Sequence, residues 1–191
     1  VQIDYLKKQM QDRSHPLSNG FTLIEDVFDE SIIEKIGDEK YDLVISIGVF
    51  EQLLNMKAML ALIARLLKPD GRTFHHFITS QVTTPHVRLD KKTVIGKYFP
   101  GGRIWPHDEF SRHTEHLDLE KAWFVSGKNY LRTLNEWHLR YWNSIPVLYQ
   151  KGFNIDSIKH WNDYFLLCKA MFSPLDGSFY GNSHYLFTMK E

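Results

Sequence analysis

Residues 41–79 carry the pattern that most narrows the fold. Residues 41–48 (YDLVISIG) are nearly continuous in apolar side chains, the mark of a buried strand. Leu53, Leu54, Met59, Leu60, Ile63, Leu66 and Leu67 then recur near a 3.6-residue period, which predicts an amphipathic helix. Pro69-Asp70-Gly71 stops that helix, and residues 73–79 read as a second strand. Strand, helix, turn and strand make an α/β crossover, which implies a parallel sheet. Ligands of such sheets sit beyond the carboxyl ends of the strands.

The flanks add elements without adding a repeat or a low-complexity linker. Residues 1–12 place Ile3, Leu6 and Met10 among charges, a short amphipathic helix broken by residues 14–20 (SHPLSNG). Residues 21–24 read as a strand and 31–36 as a short helix. The carboxyl ends of the three strands therefore carry Asp26, residues 48–51 and residues 78–80. Beyond residue 80 the texture changes. Residues 99–103 (FPGGR) form a loop, and residues 108–111 can open a helix. Residues 131–149 and 158–172 look helical and rich in aromatics, and residues 184–189 close the chain as a strand.

Composition sets outer limits. Of 191 residues, 43% are apolar, enough to bury a core in one ordinary domain. Basic and acidic residues balance at 23 each, which argues against non-specific nucleic-acid binding. The single cysteine, Cys168, excludes an internal disulfide and a Cys-rich zinc site, and suits a reducing, cytoplasmic compartment. No apolar run is long enough to span a membrane, and no charged-then-apolar leader opens the chain. The first residue is Val1 rather than Met, so the chain reads as a fragment.

Several residues at the strand ends can carry chemistry, each with a structural alternative. Gly48 lets a ligand approach the backbone closely. Glu51, at the strand-to-helix junction, either points into the crevice or is an exposed acid near a helix N-terminus. His75 and His76 are neighbours on a strand and face opposite sides of the sheet, so one meets core and one meets crevice. Neighbours on a strand do not reach one metal ion together. Asp26 either accepts from a nucleotide or caps a turn. The aromatic helices either pack as core or line an acyl or cation pocket.

Taken together, the segments resemble the cyclopropane fatty acid synthase family of S-adenosylmethionine-dependent methyltransferases, over residues 26–187. Residues 41–52 (YDLVISIGVFEQ) look like the family's strand and FEH segment, residues 66–71 (LLKPDG) its LKPDG turn, and residues 74–78 (FHHFI) its LLHTI strand. Residues 99–104 (FPGGRI) look like its FPGG loop, and residues 129–137 (NYLRTLNEW) its HYxxTLxxW signature. Residues 181–187 (GNSHYLF) resemble the ending of the branch that includes the plant coclaurine-type N-methyltransferases.

The resemblance implies an α/β, Rossmann-like class I methyltransferase fold, incomplete at its N-terminus, with an aromatic-rich helical cap before the last strand. Residues 1–191 form one partial domain, and 81–175 form its helical substrate side. The glycine-rich loop and acidic ribose ligand are expected before Val1. Glu51, His76 and Tyr130 match the residues that hold a bicarbonate ion in the synthases, and Ile78 matches the one that holds it through its backbone. Such an ion, shielded from water, removes the proton that closes a cyclopropane ring after methyl transfer to an alkene. Asp26 is expected to accept from the adenine amino group and Val27 to offer its backbone. Ser46 and Gly48 line the methionine end of S-adenosylmethionine. No metal site is implied.

Three departures shape the functional expectation. The glycine loop is absent from the sequence, the family's FEH is Phe50-Glu51-Gln52, and Asn129 precedes the tyrosine. The plant N-methyltransferases also carry a glutamate where this chain has Gly48. The leading expectation is a synthase-like enzyme that adds a methylene to an unsaturated phospholipid acyl chain, with peripheral membrane contact. The alternatives are N-methylation of a small amine in a closed pocket, and a truncated non-catalytic remnant.

Overall fold

The computed structural model describes residues 2–12, 14–16, 34, 36, 40–82, 87–88, 92–94, 96 and 101–190. The chain divides into two compact units, residues 1–39 and 40–191. In the first, α1 (Gln2–Gln11) matches the expected amphipathic helix. Its Ile3, Leu6 and Met10 are half-buried, whereas Lys7, Lys8 and Asp4 are exposed. The expected strand at 21–24 and the candidates Asp26 and Val27 lie outside the described residues. So does most of the expected 31–36 helix, of which Glu34 and Ile36 are helical.

Among the described residues, the second unit is built on a mixed six-stranded sheet. Strands β1 (Tyr41–Ile47) and β2 (Leu67–Ser80) run parallel, joined by α2 (Met56–Leu66). This is the crossover the sequence predicts. The helix begins at Met56 rather than Leu53, because Asn55 caps it by accepting from the Ala58 N–H at 2.9 Å. Phe50–Gln52 before it form a 3-10 turn. Pro69-Asp70-Gly71 does not separate helix from strand. Pairing jumps from Tyr41–Leu67 to Leu43–Arg72, so this tripeptide bulges out of a strand that begins at Leu67.

The remaining strands are β3 (Val87–Arg88), β4 (Arg103–Pro106), β5 (Leu117–Ser126) and β6 (Tyr180–Met189). β6 runs antiparallel along one edge of β2, and β5 antiparallel along β6. β1 and β4 lie parallel to β2, β1 opposite Arg72 to His76 and β4 opposite Thr79 and Ser80. A strand has two hydrogen-bonding edges, so β1 and β4 share the edge that β6 leaves free. The sheet is therefore mixed, not wholly parallel.

Between Ser126 and β6 stand α3 (Gly127–Gln150) and α4 (Ile155–Phe172), the two aromatic helices expected. Asn154 caps α4 by accepting from the Ser157 N–H at 2.8 Å. Residues 81–175 carry the two helices from Gly127 onward, but among the described residues three strands, β3, β4 and β5, precede them.

Two clusters fill the interior. On one sheet face Phe50, Met59, Leu60, Ile63, Phe77, Phe110, Tyr185 and Phe187 pack α2, the Phe50–Gln52 turn and a second 3-10 turn, Glu109–Arg112, onto β2 and β6. Near the carboxyl end of β2, Leu134, Cys168 and Phe172 join α3 to α4, with Ile78 and Tyr130 against them. The expectation that β1 is buried is corrected. Leu43, Ile45 and Ile47 are 51%, 56% and 67% exposed, while Val44 and Ser46 on the other face are half-buried. The apolar run has one packed face among the described residues, because α2 covers a single side of the sheet.

Candidate active site

The site lies where β1 and β2 end. Gly48 leaves β1 with a left-handed φ of +65°, and its N–H donates to the His76 carbonyl at 2.8 Å. A Cβ built there meets nothing within 4 Å, so the backbone faces open space. That conformation favours glycine, and the open space admits a ligand against the chain.

Three residues on from Gly48, the 3-10 turn directs Glu51 across to β2. Its Oε1 accepts from the Ile78 N–H at 2.8 Å. Its Oε2 is buried and finds no hydrogen-bond partner among the described residues. Burial pushes the Glu51 carboxyl above the usual range, opposed by the N–H groups of Ile78 and of Glu51 itself. Of the two readings open from the sequence, the structure gives the inward-facing carboxylate.

Tyr130 comes from the first turn of α3. Gly127 starts that helix, where a Cβ would meet the Tyr180 carbonyl oxygen at 2.3 Å and that of Phe172 at 2.9 Å. Ser126 caps it, accepting from the Lys128 N–H at 3.2 Å and donating to the Gly177 carbonyl at 3.0 Å. The Tyr130 ring stands edge-on to Phe172, centroids 4.7 Å apart. Burial, with Cys168 and Glu51 nearby, pushes its hydroxyl up.

These residues line one cavity of about 250 Å³. Gly48, Glu51 and Gln52 form one wall, Ile78 another, and Gly102, Arg103 and Ile104 a third. Tyr130, Tyr164, Cys168, Met171 and Phe172 close it from the helices. The structure thus brings together Gly48, Glu51, Ile78 and Tyr130.

His76 is not among the lining residues. Its Nδ1 lies 2.7 Å from Nε2 of His184 on β6, and burial lowers the pKa of both rings, helped at His184 by His76 itself. His75, on the opposite face, is fully buried. Thr73 Oγ1 donates to the Val44 carbonyl at 3.0 Å, so at 3.1 Å it accepts from His75 Nε2. Ser46 Oγ, 2.8 Å from His75 Nδ1, is then the donor there. The Ser46 hydroxyl therefore serves the core histidine, and burial pushes the pKa of that histidine down to about 3, which keeps the ring neutral. Arg103 and Ile104, inside the 99–104 motif, line the cavity, and His184 partners His76; no local sequence signal marks these three roles. Among the described residues no group of three or more His, Cys, Asp or Glu is placed to hold a metal ion.

The family model for mycolic acid cyclopropane synthetase matches residues 31–177, more than half of the chain. The chain belongs to this family. A curated relative, (S)-coclaurine N-methyltransferase of Thalictrum flavum subsp. glaucum, is 24% identical over 193 residues, covering 94% of this chain and 52% of the relative. A coclaurine N-methyltransferase crystal structure, bound to N-methylheliamine and SAH, matches with a TM-score of 0.79 at 24% identity. The match covers 98% of this synthetase-family chain and 55% of that one. The cyclopropane synthase MmaA2 from Mycobacterium tuberculosis matches with a TM-score of 0.63 at 20% identity, over 80% of this chain and 57% of that one. These likenesses give the fold as α/β, Rossmann-like and class I methyltransferase. The chain spans about half the length of the curated relative it matches.

Proposed function

We propose that this synthetase-family chain carries the acceptor side of an S-adenosylmethionine-dependent methyltransferase whose acceptor is a small amine, with Glu51 as the base. One observation carries the reading. The buried Glu51 carboxylate spends one oxygen on the Ile78 N–H, its other oxygen finds no partner among the described residues, and the residue lines a cavity with Tyr130. Gly48 fits a cofactor that approaches the backbone, since its left-handed turn leaves open space where a side chain would stand.

When bound, S-adenosylmethionine supplies an electrophilic methyl group. The chain's own part is to prepare the nucleophile. An ammonium group does not attack, because its nitrogen has no lone pair. Oε2 of Glu51 accepts one N–H proton, and the lone pair is released toward the methyl group. A carboxyl whose pKa is raised by burial holds that proton better than an exposed one. Ile78 keeps the carboxylate aimed, and the apolar side chains of Ile104, Met171 and Phe172 exclude water.

A second reading is favoured by Glu51, Ile78 and Tyr130 lining one cavity. It is methylene addition to an unsaturated phospholipid with bicarbonate as base, and exposed Trp137 and Trp142 on α3 suit a membrane surface. The donor set fits that ion less well. The Ile78 N–H is already taken by Glu51, and the His76 Nδ1 is turned to His184. Cytoplasmic placement is supported by the single buried thiol, Cys168. The deciding experiment incubates the protein with methyl-labelled S-adenosylmethionine, a panel of apolar amines and vesicles of unsaturated phosphatidylglycerol. Label on amine nitrogen is expected. Label confined to the acyl chains overturns the amine reading.

A further inference from the structure

We propose that the acceptor in this cavity is a zwitterion, an apolar amine that faces Glu51 and carries an anionic group held by Arg103. The inference rests on the amine reading above and adds the substrate class. Arg103, on β4, lines the cavity, and its buried Nε finds no hydrogen-bond partner among the described residues. Its guanidinium lies 5.8 Å from the centre of the Trp105 ring, and the Trp105 indole N–H is itself anchored on the Phe50 carbonyl at 3.0 Å. The fork is therefore held by a fixed aromatic surface.

Glu51 and Arg103 have opposite charges and line one cavity, yet they form no ion pair with each other. Among the described residues each leaves a buried polar atom unsatisfied, Oε2 on Glu51 and Nε on Arg103. Buried polar atoms are rarely left without partners, and such orphans point to a ligand that supplies them. A neutral amine satisfies Glu51 and leaves Arg103 wanting, and a simple acid does the reverse. A molecule with both charges satisfies both. The planar fork of arginine suits a carboxylate, and Ile78, Ile104, Met171 and Phe172 suit an apolar body.

The test is equilibrium binding to the full-length protein saturated with S-adenosylhomocysteine, with three probes that share a phenyl body: L-phenylalanine, phenethylamine and 3-phenylpropionate. Phenylalanine is expected to bind at least about tenfold tighter than either single-charge probe. Arg103→Gln is expected to reduce phenylalanine to the level of phenethylamine and leave phenethylamine unchanged. Glu51→Gln reduces it to the level of 3-phenylpropionate. Equal binding of phenylalanine and phenethylamine by the unaltered protein overturns the proposal, and needs no variant to fold. No binding of any probe at millimolar concentration also overturns it. So does a loss of S-adenosylhomocysteine affinity in Arg103→Gln, which would place Arg103 on the cofactor's own carboxylate. Methylation of phenethylamine without a preference for phenylalanine removes the zwitterion and leaves the amine reading standing.

Discussion

The Glu51 carboxylate bridges the ends of β1 and β2 by accepting the Ile78 N–H at 2.8 Å, and its second oxygen is buried without a partner among the described residues. The pairing fixes the carboxylate, and the burial makes its charge costly. Because its folded pKa is raised, the native state holds the proton more tightly than the unfolded chain. Glu51 therefore favours the fold at low pH, and this contribution is lost as pH rises through the folded value. At neutral pH, Glu51→Gln keeps an acceptor for Ile78 and removes the buried charge. Scanning calorimetry at pH 7 is expected to show a higher Tm for the variant, by about 2–4 °C for each 1 kcal/mol regained. A lower Tm would show that the carboxylate stabilises the fold.

Tyr130→Phe removes a hydroxyl from the cavity and keeps the ring against Phe172. Turnover is expected to fall about 100-fold or more, with the Tm and the affinity for S-adenosylhomocysteine unchanged. Equal loss of turnover and cofactor affinity would make Tyr130 a packing residue.

His75 dictates how the fold responds to acid. Burial lowers its pKa from 6.5 to about 3, so the unfolded chain binds the proton first. Stability conferred by the neutral ring is full above pH 6.5 and drains as pH falls toward about 3. The slope approaches about 1.4 kcal/mol per pH unit for one proton. Denaturant titrations at a series of pH values should show this slope, and His75→Gln should flatten it. An unchanged slope would mean that other groups govern acid unfolding.

Gly48→Ala separates backbone strain from ligand contact. The position has φ +65° but room for a Cβ, so the stability cost is expected to be about 1–2 kcal/mol. If a cofactor lies against this backbone, S-adenosylhomocysteine affinity should fall at least about tenfold as well. A stability loss with unchanged affinity would move the cofactor elsewhere.

Periodicity made the β1–α2–β2 crossover legible, and alternation placed His75 and His76 on opposite faces. Glu51 was legible at its junction, because a strand-to-helix turn is where an α/β sheet presents side chains. β5 was not. Asp118, Glu120 and Lys121 interrupt its apolar pattern, and a bulge between Leu119 and Lys121 shifts its register. The exposure of Leu43, Ile45 and Ile47 was equally hidden, since an apolar run looks the same whether one face or both are covered. His184 gains its position from His76, its partner across β2 and β6, and Arg103 from β4, whose Trp105 and Pro106 pair with the end of β2; local pattern encodes neither pairing.

The central claim is that Glu51 takes the acceptor's proton, and the pH dependence of methyl transfer to an amine tests it most directly. For the unaltered protein the rate should rise with pH along an acid limb set by Glu51, displaced above the usual carboxylate range because burial raises that group. Glu51→Gln should lose the limb and about 100- to 10,000-fold in rate, with cofactor affinity retained. An acid limb that survives in Glu51→Gln would contradict the account.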